Sequence, residues 1–221
     1  MTFQLPRCLR EGDDALALGY LRTYYGQPYT GAYFDSWAGD RNEPGRITAD
    51  DLIAVSFLSV VVPPLAARAL LDTRAAEFTA LLEAIGPDRD LADETEPIGD
   101  DHPVSELYRA VRGLPGVGPT ITTKLLARKR PRFLPIYDSV VARVSRIGNF
   151  HWEPLRRTLR EDDRQVHLQL LDLRDRASVN TPISALRVLD VVTWMEGKAA
   201  GIEPTAPEDV LGAALTDPGD V

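Results

Sequence analysis

Apolar positions recur along this chain at helical spacing, and no stretch alternates long enough to make a useful strand. Val104, Leu107, Tyr108 and Val111 stand at i, i+3, i+4 and i+7, the stripe of an amphipathic helix. Ile121, Leu125 and Leu126 form a second stripe. Val140, Val141, Val144 and Ile147 form a third, with Asp138 or Ser139 placed as its N-cap. Nearer the start, residues 13–25 read as a helix with Leu16 and Tyr20 on one face. Thr48-Ala49-Asp50-Asp51 has the spacing of a capping box with Asp in place of Glu. The helix it opens, through Leu52, Ile53, Val55, Phe57 and Leu58, is apolar nearly all round and is expected to be buried. Pro63 and Pro64 should end it near Val62, and Pro64 should open the next helix. Phe78, Leu81, Leu82 and Ile85 mark another. Downstream, residues 154–177 read as one long charged helix, and Thr181-Pro182 as the cap of a last one carrying Leu186, Leu189, Val192 and Trp194. The pattern predicts an all-α fold.

Between the first two stripes lies Leu114-Pro115-Gly116-Val117-Gly118-Pro119. The prolines withhold donors and the glycines permit positive φ, so the segment cannot stay helical. Pro119, behind a glycine, suits the first position of a new helix. The prediction is helix, tight hairpin, helix. Bare glycine backbone lets an anion approach the N–H groups, and the first turn of the following helix adds partial positive charge. A plain turn joining two core helices is the simpler reading of the same residues.

Charge changes the picture here. The 221 residues carry a net charge of −8, which argues against general nucleic-acid affinity. Yet residues 111–146 hold eight bases (Arg112, Lys124, Arg128, Lys129, Arg130, Arg132, Arg143, Arg146) against one acid, Asp138. A basic island on an acidic chain suits local phosphate binding. Residues 86–101 hold seven acids against one arginine and read as a solvated loop. Residues 20–37 hold seven of the 16 aromatics, which either stack on bases or fill a small core. One cysteine, Cys8, excludes a disulfide framework and a Cys-ligated iron–sulfur cluster. Three isolated histidines offer no metal-spaced set, so neither metal nor cofactor is expected. No signal or membrane-spanning segment is read in the sequence, and the cytoplasm is the expected compartment.

Leu114 to Gly118, then Asp138, Arg143 and Val144 at similar spacing, resemble the helix-hairpin-helix DNA glycosylase superfamily, whose members carry Leu-Pro-Gly-Val-Gly followed by Val-Asp-Thr-His-Val-x-Arg-Val. The match covers about residues 48–148, and the whole chain also resembles a bacterial family of unknown function. The resemblance implies a two-lobed, endonuclease III-like helical bundle. It implies double-stranded DNA as partner, gripped through Gly116, Val117, Gly118, Thr120, Lys124, Arg128, Lys129 and Arg143. It also implies Asp138 as the catalytic carboxylate, against a sugar with oxocarbenium character. Thr120 stands where bifunctional members carry a lysine, so the expected activity is monofunctional excision of a modified base. A DNA-binding or structural relative without base excision is the alternative. The segments implied are an aromatic-rich N-terminal piece (1–47), the glycosylase-like core (48–148), C-terminal helices (149–202) and an acidic tail (203–221).

Overall fold

The helical periodicities carry through. In the computed structural model, which describes residues 3–26, 29–148 and 152–204, the described residues form twelve α-helices and no strand. After α1 (Arg7–Arg10), α2 (Asp14–Gly26) buries Leu18, Leu21 and Tyr24. Short α3 (Ala32–Ser36) leads to α4 (Ala49–Ser56), where Asp51 accepts the Thr48 backbone N–H at 2.7 Å, the reciprocal half of a capping box. Pro64 opens α5 (Pro64–Arg68) as predicted, and the chain passes through a wide π turn into α6 (Ala75–Ile85). Helices α7 (Pro103–Arg112) and α8 (Pro119–Lys129) flank the glycine turn. Then come α9 (Ser139–Ser145), α10 (Trp152–Arg160), α11 (Gln165–Ala177) and α12 (Ala185–Ala199). Buried apolar side chains from Phe3 to Met195 join in one cluster, with α12 packed on α2, α9 and α11.

The feature the sequence pattern hid is α8. From Ile121 to Lys129 every one of its residues is buried, cations included. Lys124 Nζ donates to the Leu58 carbonyl at 2.7 Å. Arg128 donates to the carbonyls of Phe34 and Trp37 at 2.9 and 2.5 Å, and lies 3.4 Å from Asp51. Lys129 Nζ meets Asp51 at 2.7 Å and also donates to Asn42 and the Glu43 carbonyl. Just past the helix, Arg130 donates to the carbonyls of Leu82, Gly86 and Pro44. Arg132 pairs with Asp90 at 2.6 Å. The basic island is therefore no continuous phosphate-binding surface. Half of its cations turn inward, satisfying carbonyls of loops and helix ends.

Other elements depart from the periodicity for local reasons. Helix α4 stops at Ser56 rather than near Val62: the Phe57 and Leu58 carbonyls are drawn aside to Thr30 and Lys124, and Ser59 takes φ 60°. Nor is α4 buried all round, since Ile53 is 42% exposed. The long helix expected over 154–177 breaks between α10 and α11, where Asp162, Asp163 and Arg164 all adopt positive φ. Asp is among the residues that tolerate that region, so the break is locally inexpensive. Residues 86–101 are no loose loop: Leu91, Ala92 and Ile98 are buried, and Arg156 holds the Glu94 carbonyl at 2.9 Å. The last helix is capped by Ser184, whose hydroxyl accepts the Arg187 N–H at 3.0 Å, rather than by Thr181. Most of the expected acidic tail, residues 205–221, lies outside the described residues.

The Asp51 carboxylate is 1% exposed and faces two buried cations. Asp51→Ala should cost about 3–5 kcal/mol, because it leaves the Lys129 ammonium buried without its counter-ion. Urea unfolding will show this as a lower midpoint at an unchanged slope.

Candidate functional site

The turn between α7 and α8 holds its shape through two glycines with different tasks. Gly116 has φ +70°, and a Cβ there would sit 2.9 Å from Pro63 Cγ. Conformation and packing both demand glycine. Gly118 has φ −89° and ψ 176°, ordinary extended backbone, and serves as N-cap of α8. The expectation of positive φ thus holds for Gly116 alone. Leu114 and Val117 are core side chains, and Val117 N–H is taken by the Leu114 carbonyl at 3.1 Å. The exposed Arg112 closes the turn by donating to the Val117 carbonyl at 2.6 Å.

Immediately behind the turn lies a cleft of about 730 Å³. Thr120 and Lys124, one helical turn apart on α8, line one side. Asp138 and Ser139 open α9 on another. Asp190, Val191 and Trp194 of α12 form the floor, and Tyr24, Tyr29 and Phe57 an aromatic wall. Tyr24 and Tyr29 stack at 5.4 Å and 9°, and Trp194 meets Tyr29 edge-on at 5.9 Å. The aromatic-rich segment thus divides: Phe34 packs in the core, while Tyr24, buried, and Tyr29, 36% exposed, stand at the wall of the cleft.

Asp138 is the N-cap that the sequence predicted. Its Oδ1 accepts both the Val140 and Val141 N–H groups, at 2.9 and 3.1 Å. Its Oδ2 accepts no hydrogen bond among the described residues. One oxygen is fixed at a helix N-terminus and the other is left for the cleft. Lys124 is only 5% exposed; burial pushes its ammonium below the usual lysine range, with Asp138 and Asp190 opposing. The sequence reading placed Lys124 on DNA phosphates; its position is inside the cleft.

Asp190 escaped the sequence reading. Burial pushes its carboxyl up to about 6, and the Asp138 charge pushes further, while Arg187 and Lys124 oppose. Arg187, on the same helix, donates through Nε to both Asp35 oxygens at 3.0 and 2.9 Å. Its Nη2 donates to Tyr24 Oη and the Gly31 carbonyl, and its Nη1 to Asp190 Oδ2. The readable signal was an Arg–x–x–Asp pair in an otherwise apolar run, Leu186 to Val192. Arg187 and Asp190 also line a second cavity of about 450 Å³, so this hydrogen-bonded pair stands between the two.

Of the predicted site residues, Asp138, Thr120 and Lys124 come together on the cleft. Gly116 and Arg143 are exposed nearby in sequence, Arg143 donating to the Glu203 carbonyl at 3.3 Å. The side chains of Arg128 and Lys129 are buried with their donors turned inward, so they do not present to a ligand phosphate. Val117 and Gly118 are buried as well. No group of His, Cys, Asp and Glu among the described residues has the arrangement of a metal site. No described helix is long and apolar enough to cross a membrane.

The molecule is thus an all-helical protein with a carboxylate-lined cleft behind a glycine turn. Residues 17–197 match the family of unknown function DUF6308, and the chain belongs to that family. Neither curated proteins nor solved structures gave a match.

The coupling of the two cleft carboxylates can be measured. Asp190, raised above its unfolded value, favours folding below about pH 4 and loses that contribution as pH rises through about 6. Carboxyl ¹³C shifts should give Asp190 a midpoint near 6. Asp138→Asn should lower it by removing the neighbouring negative charge.

Proposed function

We propose that this protein is a monofunctional DNA N-glycosylase-like enzyme that excises a modified base, on a divergent helix-hairpin-helix scaffold of the endonuclease III type. The observation that carries the reading is Asp138: a carboxylate anchored by one oxygen at a helix N-terminus and lining a cleft of about 730 Å³. That volume falls in the range of small-molecule sites, about 300–1,000 Å³, and suits a base turned out of the duplex. The aromatic wall of Tyr29 and Trp194 offers it faces and edges to pack against. The glycine turn at 113–118, ending in the N-terminus of α8, would hold the backbone beside the extruded nucleotide.

In this reading Asp138 supports positive charge developing at C1′ as the C–N bond breaks. Thr120, at the cleft edge, has no amine to form an imine, and the Lys124 ammonium is held by the Leu58 carbonyl. The product would be an intact abasic strand. One observation favours the second reading, a DNA-binding or structural relative without base excision. Lys124, Arg128, Lys129 and Arg130 are all buried, which thins the footprint left for phosphates.

Excision assays separate these readings, and a binding assay tests DNA as the partner. Asp138→Asn keeps the cap oxygen, so fold and DNA affinity should persist while single-turnover excision falls at least about 100-fold. If a broad panel of modified duplexes yields no abasic sites with the wild type, the enzyme reading is lost. Borohydride should trap no covalent complex; trapping that vanishes in Lys124→Met would replace the monofunctional reading with imine chemistry. For binding, exposed Arg112 and Arg143 are the positions to reverse. Arg112→Glu with Arg143→Glu should weaken duplex binding and lower the log–log salt slope by about one per lost phosphate contact. Unchanged affinity and slope would remove DNA as the partner.

A further inference from the structure

Around Arg187 two carboxylates share one buried guanidinium. The cleft is lined by Arg112, Lys124 and Arg187 and by the carboxylates Asp138 and Asp190; Asp35, on the second cavity, shares the Arg187 guanidinium with Asp190. One carboxyl of that pair can hold a proton without leaving the guanidinium unmatched, and hydrogen bonding decides which. Asp35 takes the Arg187 Nε–H on both oxygens and a Tyr25 hydroxyl at 2.9 Å. Asp138 takes two backbone amides at a helix N-terminus. Each accepts donors of the kind that favour the charged form. Asp190 takes one donor, Arg187 Nη1, from a guanidinium already committed to Asp35, Tyr24 and Gly31. It sits in the interior of α12, where the amides are already paired, and its side chain is 10% exposed.

The surroundings of Asp190 allow no easier neutralisation. From its own helix comes Arg187; from α8, Lys124; from the head of α9, Asp138, all acting on its charge. From α2 come the Tyr24 and Tyr25 hydroxyls, both raised by burial and so neutral, and from α3 comes Asp35. Across the second cavity Arg128 is drawn to Asp51, Arg132 to Asp90 and Arg174 to Asp175, and across the cleft Arg112 donates to the Val117 carbonyl. Burial and the Asp138 charge act together to keep the proton on Asp190, pushing it up to about 6.

Resting on the base-excision reading, we infer that Asp190 is the general acid of the cleft and that its substrates are bases that depart neutral only after protonation. Two carboxyls with divergent environments in one site divide into an ionised and a protonated role. The Asp190 proton passes to a ring nitrogen or carbonyl oxygen of the base. The C1′–N bond breaks, its electron pair going to the base, and Asp138 remains ionised beside the sugar cation. Water then adds to C1′ and returns a proton to the Asp190 carboxylate. Atoms and charge balance as a hydrolysis, and no further reactant is required. Bases already cationic through ring alkylation leave without this proton, so they do not depend on Asp190.

The test compares single-turnover release of uracil, hypoxanthine and 8-oxoguanine with release of 7-methylguanine from duplexes, by wild type, Asp190→Asn and Asp138→Asn. Asp190→Asn should lose about 100-fold or more on the neutral bases while 7-methylguanine stays within about threefold of wild type. Asp138→Asn should lose both. The wild-type rate on neutral bases should fall as pH rises through about 6, and the residual rate of Asp190→Asn should not. Equal loss on both classes, or none, overturns the acid role while leaving base excision standing. So does a wild type that releases 7-methylguanine alone, or one with a flat pH profile. A wild type that releases nothing from the whole panel overturns base excision and, with it, this assignment. If Asp190→Asn does not fold, the wild-type pH profile and the Asp190 carboxyl titration decide: a midpoint near the ordinary carboxylate value of about 4 overturns the proposal.

Discussion

One carboxylate, Asp51, lets a helix laden with cations lie in the core. It meets Lys129 Nζ at 2.7 Å and the Arg128 guanidinium at 3.4 Å while also accepting the Thr48 N–H that begins α4. A buried charge is tolerable only when paired and hydrogen-bonded, and here one anion serves two cations and a helix cap. Other donors of Arg128, Lys129 and Arg130 go to carbonyls of loops and helix ends, those of Phe34, Trp37, Glu43, Pro44, Leu82 and Gly86. These long side chains do for the irregular segments what a ladder does for a sheet. Loops that would otherwise need water are drawn onto α8.

The cleft depends on that arrangement. With α8 fixed from one face, its other face delivers Thr120 and Lys124 to a site closed by α9 and α12. Lys124 itself holds the Leu58 carbonyl just beyond the end of α4. A second ion network repeats the theme on α12: Arg187 binds Asp35 and Asp190 and draws in Tyr24 and the Gly31 carbonyl. Gly31 has no room for a side chain, a Cβ there lying 1.9 Å from Tyr24 Oη, so this network also depends on a bare backbone position. Fold and site share the same cations.

Much of the architecture was legible because it rests on local chemistry. The stripes of α7 and α9, Pro64 and Pro119 at helix starts, the glycine turn and the Asp138 cap all appear where periodicity and capping place them, whereas α8 is buried all round. Helix ends were less legible. The break at 162–164 lies within an apolar stripe that keeps its phase from Leu155 to Leu173, so nothing in the periodicity marks it. The acidic segment 86–101 read as solvated because its composition is polar. Leu91, Ala92 and Ile98 pin it, and their partners lie far away in the chain.

The sequence by itself determined the helices, the turn between α7 and α8 and a carboxylate at the head of α9. Each is a property of residues within a few positions of one another. Only the tertiary structure decided what the charges do. Lys124, Arg128 and Lys129 look alike along the chain, yet one enters a cleft and two hold the core, because α8 is surrounded and each face meets different carbonyls and carboxylates. Asp190 acquires its raised proton affinity from burial beside Asp138, a residue 52 positions away by number that shares only the cleft with it. Helical propensity is local, whereas burial, and with it the protonation of a carboxyl, belongs to the assembled fold.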